Sequence, residues 1–228
     1  MHVASNQTSS SKSRHIPIKI GEAWANNSDQ FLLLREMVHR INNELTSTIG
    51  IISCAADCEK NRKVKVALIN VIEHLYDQAR TYRALQMPTP NKPIDAAAYL
   101  RELCQSISRA KLRHNGIKLV LSEQPLQLNS GQCWRLGLIV SELITNASRH
   151  AFRDTGGTIR VELRKLGTTV ECRVTDDGSG PENIGPGQGL EIIQQLARAL
   201  NGEVDQRFGA MGAAAIVSFP IEEVTPSY

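Results

Sequence analysis

The sequence predicts an α+β protein in two units, a long helical hairpin followed by a helix-and-sheet sandwich. Three observations carry this. Apolar residues recur at steps of three and four from Phe31 to Ala55 and again from Val64 to Tyr82, with only a short polar stretch between. Pro88, Pro90 and Pro93 then break the chain. Beyond them, helical runs are interleaved with period-two runs bounded by glycine turns. The expected organisation is a flexible leader over 1–28, a hairpin over 29–87, a linker at 88–93 and a sandwich domain over 94–224.

The leader is rich in Ser, Asn, Gln and Thr, and Ile16 to Ile20 is too short an apolar stretch to hold a core. Asp29 to about Glu59 contains no proline, and Ser28 or Asp29 can cap a helix there. Its stripe is Phe31, Leu34, Val38, Ile41, Leu45, Thr48, Ile52 and Ala55. A second helix carries Val64, Leu68, Val71, Leu75, Ala79 and Tyr82. Two helices cannot bury both sides of such stripes, so a second copy is expected to complete a four-helix bundle, making a homodimer. In the second unit, helices are expected over 95–112, 130–152 and 190–200. Strands are expected at 117–121, 158–165, 169–175, 203–207 and 213–219, with a short extended piece near 126–128. A glycine-rich loop fills Asp176 to Gly189, and the sheet is expected to be mostly antiparallel or mixed.

Composition narrows the function. Hydrophobic residues are 41% of the chain, enough for a packed core. Aromatics are only 4%, which disfavours a single-strand binder that stacks bases on rings. The net charge is +3 with no dense basic run, so nucleic acid is not an expected partner. The five cysteines are odd in number and form no CxxC pair, so each is expected to act as a small buried or half-buried hydrophobe. No apolar run approaches the roughly 20 residues of a membrane span, so no membrane insertion is expected. The expected setting is cytoplasmic.

Four constellations carry chemistry. On the first helix, Glu36, His39 and Asn43 share a face beside the seam, where a carboxylate can hold a nucleophilic imidazole in one tautomer. On the helix at 130–152, Glu142, Asn146, Arg149 and His150 gather opposite the apolar Ile139, Val140 and Leu143. Asn146 offers a neutral oxygen to Mg2+, Glu142 can hold a metal-bound water, and Arg149 and His150 can donate to phosphate. Asp176, Gly178 and Gly180 end a strand, and a carboxylate there can accept from the exocyclic amine of adenine. Gly187 and Gly189 open a helix whose free N–H groups favour phosphate. Taken singly, each is also what a solvated helix face or a turn looks like.

In this order and spacing the four together resemble the sensor histidine kinases, over about 29–222. The subclass is the one related to the HWE kinases whose phosphoacceptor helix reads His-Arg-x-x-Asn, here His39 to Asn43, although the only tryptophans are Trp24 and Trp134 and the Trp-x-Glu signature is absent. The resemblance implies a dimerisation and phosphotransfer hairpin followed by a Bergerat-type ATP-binding domain. It implies His39 as phosphoacceptor, Asn146 as Mg2+ ligand and Asp176 as the carboxylate that reads the adenine of ATP. It implies a response-regulator receiver domain as partner. Two departures stand out: the loop Pro181 to Pro186 is short, and Gly212-Ala213 replaces the usual Gly-Thr. Two other readings remain, an ATP-independent histidine phosphotransfer protein of the same fold and a Bergerat-fold Ser-directed protein kinase or ATPase.

Overall fold

The computed structural model describes residues 20–88, 93–152, 156–179, 188–209 and 212–222. Helix α1 spans Ile20–Cys58 and α2 spans Arg62–Ala84. Residues 20–28 are therefore helical rather than leader, and Ser28 and Asp29 lie inside α1 instead of capping it. Helix α2 is capped by Asn61, whose side chain accepts from the Lys63 N–H at 3.0 Å.

The hairpin seam buries Val38, Asn42, Ile49 and Ala56 of α1 and Ala79 and Thr81 of α2. This face is rotated from the stripe read in the sequence: Thr48 and Ala55 are exposed, while Ile41, Leu45 and Ile52 are half-buried. Helix α2 covers part of the stripe and leaves apolar side chains of both helices exposed. Met37 (57% exposed), Ile51 (69%), Ile69 (41%) and Val71 (46%) remain apolar surface.

The second unit starts with β1 (Pro93–Asp95), which pairs antiparallel with β3 (Gln127–Asn129). Between them come α3 (Ala96–Ile107), a π turn at Ser108–Leu112, a 3-10 turn at Arg113–Asn115 and β2 (Ile117–Glu123). Asp95 caps α3 through the Ala98 N–H at 3.0 Å, and Asn129 caps α4 (Ser130–His150) through the Gln132 N–H at 2.7 Å. Then follow β4 (Gly157–Leu166), β5 (Thr169–Asp176), α5 (Gln188–Arg198), β6 (Glu203–Gly209) and β7 (Gly212–Pro220). The five-stranded sheet runs β2-β4-β5-β7-β6. Only β2 and β4 are parallel, so the sheet is mixed. A parallel pair needs a crossover, and α4 supplies it.

The core lies between this sheet and α3, α4 and α5, with Leu100, Leu103, Ile139, Ile144, Val161 and Leu196 at its centre. It does not stop at the linker. Val38 and Leu85 of the hairpin belong to the same cluster. Trp134, 2% exposed at the start of α4, donates its indole N–H to the Leu85 carbonyl at 2.8 Å. Farther along α2, the rings of His74 and His114 meet edge to face, with centroids 6.0 Å apart.

The cysteines divide. Cys104, Cys133 and Cys172 are buried as expected, but Cys54 and Cys58 are exposed. Those two sit on the side of α1 turned away from α2, so the expectation of buried thiols fails for them.

Candidate functional site

A cavity of about 480 Å3 opens where α4, α5 and the sheet meet. Helix α4 sinks Ile139, Val140, Leu143 and Ile144 into the core. Helical spacing then turns Glu142 and Asn146 toward the cavity, half-buried, with exposed Arg149 and His150 at the far end. Across from them are Asp176 at the end of β5 and Gly189 at the start of α5. Six of the candidate residues named from the sequence, Glu142, Asn146, Arg149, His150, Asp176 and Gly189, line this cavity. Gly180 and Gly187 lie outside the described residues.

Asp176 Oδ1 accepts from the Gly178 N–H at 3.1 Å and the Ala213 N–H at 3.3 Å. Both bonds fall on one oxygen, which leaves Oδ2 for a ligand. Half-burial pushes its pKa up from the ordinary carboxylate value, and the two backbone bonds oppose this in part. The neighbouring Asp177 does a different job: its Oδ1 accepts from the Thr158 N–H at 2.6 Å and ties β5 to β4. Ala213 lacks the hydroxyl that the resemblance leads one to expect, yet its backbone N–H holds the carboxylate in place.

Two glycines are required sterically. A Cβ at Gly178 would run into the Ala151 carbonyl. Gly212 has φ +121°, and a Cβ there would strike the Asp176 carbonyl. The start of α5 packs against the polar pair on α4: a Cβ at Gly189 would meet the Glu142 carboxylate and lie 3.4 Å from the Asn146 amide nitrogen.

Phe208 and Ile192, 37% and 47% exposed, give this cavity apolar walls. Sequence reasoning missed both. The available signal was position: Ile192 lies off the buried stripe of Ile193, Leu196 and Ala197 on α5, and Phe208 sits at the tip of an alternating strand.

The first constellation stands apart, since neither His39, Glu36 nor Asn43 lines the cavity. His39 is exposed, and its Nδ1 lies 3.3 Å from Asn43 Nδ2. The expectation that Glu36 holds the ring is corrected. Its carboxylate accepts from Arg40 Nε at 3.0 Å, and that bond first, with weaker help from the Arg40, His39 and Arg35 charges, keeps its pKa below the usual range. Arg40 lies four residues on and offers a charged donor, which outcompetes the imidazole three residues on.

Among the described residues, no helix is long and apolar enough to cross a membrane. Residues 94–212 match the family described as histidine kinase-like ATPase domain, and residues 36–111 match the family described as histidine kinase. Blue-light-activated histidine kinase 2 of Erythrobacter litoralis is 27% identical over 202 residues, covering 83% of this chain. The chain spans 57% of that relative's length. The histidine kinase domain of the Erythrobacter litoralis EL346 blue-light activated histidine kinase shares the fold with a TM-score of 0.56 at 21% identity, covering 78% of this chain and 96% of that one. A bacterial phosphotransferase shares it with a TM-score of 0.57 at 11% identity, covering 89% and 98%. With a carboxylate-and-glycine cavity on one unit, a solvent-facing histidine on the other, and the ATPase-domain family alone spanning just over half of the sequence, the chain belongs to the histidine kinases.

Proposed function

We propose that the chain phosphorylates itself on His39 from Mg·ATP and passes the phosphoryl group to an aspartate of a response-regulator receiver domain. The observation that carries this reading is the convergence of Glu142, Asn146, Asp176 and Gly189 on one cavity while His39 stays exposed on α1. Asp176 Oδ2 accepts from the adenine amine, and Phe208 and Ile192 flank the base. Glu142 and Asn146 fit a hard cation: a carboxylate and an amide oxygen, four residues apart on one helix face, are the donor types Mg2+ takes alongside phosphate and water. Arg149 and His150 draw the phosphates to that end of the cavity. Bound Mg·ATP supplies the γ-phosphoryl group and the charge neutralisation its transfer needs.

Asn43 positions the acceptor ring. Its carboxamide turned with oxygen toward Nδ1 would keep the proton on Nδ1 and leave the Nε2 lone pair free to attack. Glu36 acts through Arg40, the residue next to His39, whose Nε donates to its carboxylate. The units are the hairpin at 29–87 and the ATP-binding domain at 94–224, with movement about 88–93 bringing the phosphates to His39. The open apolar edge of the hairpin, including Met37 and Ile51, supports a homodimer, and we place the protein in the cytoplasm.

The test is incubation of purified protein with Mg2+ and radiolabelled ATP, followed by acid. Label that is acid-labile, base-stable and absent from His39→Gln is expected. Acid-stable label persisting in His39→Gln would refute it in favour of a Ser-directed kinase. Label taken only from a phosphorylated regulator would refute it in favour of a phosphotransfer protein.

A further inference from the structure

A second cavity, of about 370 Å3, lies between α3, the π turn and the edge strand β2. It shares no lining residue with the nucleotide cavity. Leu119 and Leu121 of β2 form a half-buried apolar floor. Arg101, Arg109 and Arg113 form the rim, with Ser108 and Gln105 between them. Arg101 is fixed by Glu123, whose Oε1 accepts from its Nε at 3.0 Å and its Nη2 at 2.6 Å. The ion pairs among the described residues leave Arg109 and Arg113 without a carboxylate. Two guanidinium forks thus face a cavity with their charge uncompensated.

The backbone explains the arrangement. The π turn at Ser108–Leu112 is wider than an α turn, a feature found more often at functional sites than elsewhere. It brings Arg109 to the groove and leads into the 3-10 turn that starts with Arg113.

We infer that this groove is a second ligand site for a small organic anion carrying two or more negative charges. Guanidinium forks match carboxylate and phosphate alike. The volume suits a metabolite-sized ligand, and the leucine floor accepts its carbon body. The inference stands without the function proposed above.

The experiment is calorimetric titration of the full chain with succinate and with inorganic phosphate, a dicarboxylate and a tetrahedral probe. Saturable binding of at least one is expected, unchanged in Asn146→Ala and weakened at least about tenfold in the Arg109→Gln/Arg113→Gln double variant. No saturable binding of either probe, equal binding in the double variant, or loss in Asn146→Ala overturns the site. Failure to bind ATP in a separate titration would refute the proposed function and leave the anion titration to be read as before.

Discussion

Asp176→Asn separates recognition from folding. The asparagine Oδ1 can still accept from the Gly178 and Ala213 N–H groups, so the backbone around the cavity keeps both bonds. The change falls on the second oxygen, which becomes an amide donor where the proposed function needs an acceptor for the adenine amine. Loss of a hydrogen bond to a charged acceptor costs about 1.5–3 kcal/mol. At about 1.4 kcal/mol per decade, ATP should bind roughly ten- to a hundredfold more weakly. GTP presents a carbonyl oxygen at the corresponding edge, so the preference for ATP over GTP should shrink as well. Stability should move the other way. Burial raises the folded-state pKa of Asp176 above its ordinary value. Its stabilising contribution is complete below the unfolded carboxylate pKa and is lost as pH rises through the folded one. At neutral pH the ionised carboxylate is thus a cost, and the variant should melt no lower than the wild type. Wild-type ATP affinity should fall as pH drops through that raised range, while the variant stays flat. Calorimetry with both nucleotides, with thermal melts from pH 5 to 8, reads all of this. Unchanged ATP affinity in a folded variant would assign the carboxylate to structure alone.

Trp134→Phe removes the donor to the Leu85 carbonyl and leaves a buried acceptor without its partner; urea unfolding should show a loss of about 1–3 kcal/mol, and an unchanged midpoint would mean the carbonyl finds another donor. Ellman's reagent should titrate Cys54 and Cys58 in the native protein and miss the other three, because burial pushes Cys104 and Cys133 up to about 12 and raises Cys172 too; rapid reaction of a third thiol would contradict that burial. Leu45→Asp, at a half-buried position of the α1 stripe, should abolish the dimer, since burying one leucine contributes about 1.5–3 kcal/mol and a desolvated carboxylate adds to the loss; light scattering that finds the wild type monomeric at micromolar concentration would refute the dimer.

The strands were legible because a half-buried strand writes its alternation into the sequence. The β4 and β5 burial patterns alternate from residue to residue, as Ile159, Val161, Leu163 and Val170, Cys172, Val174 show. The polar face of α4 was legible for the same reason at helical period. Elements set by more than period were not. Helix α1 starts at Ile20, although Pro17 and a polar leader argue for a later start. The hairpin's buried face cannot be fixed from a stripe whose two edges serve different neighbours. The choice of Arg40 over His39 as partner to Glu36 depends on two side chains competing for one carboxylate, and spacing permits either. The π turn has no sequence signature at all, and with it went Arg109 and Arg113. Nothing in the sequence marked Trp134 as a contact between the units, because its N–H finds a partner on another unit, 49 residues away in the chain.

The hydrophobic cluster that joins Val38 and Leu85 to the sheet bears on how the molecule comes apart. A hairpin tethered by a proline-rich linker would be expected to fray at its open end. Here that end is its best-anchored part, because Leu85 is sealed under Trp134 and Val38 lies one residue from His39. The lower-stability end is instead the tip at 59–61, where the flanking residues are exposed. Amide hydrogen exchange should therefore be slowest in α2 near Ala84 and fastest near Arg62, opposite to the gradient of a free hairpin. An excised 29–87 fragment should lose that protection first at its His39 end, so the geometry around His39 is borrowed from the neighbouring domain's interior.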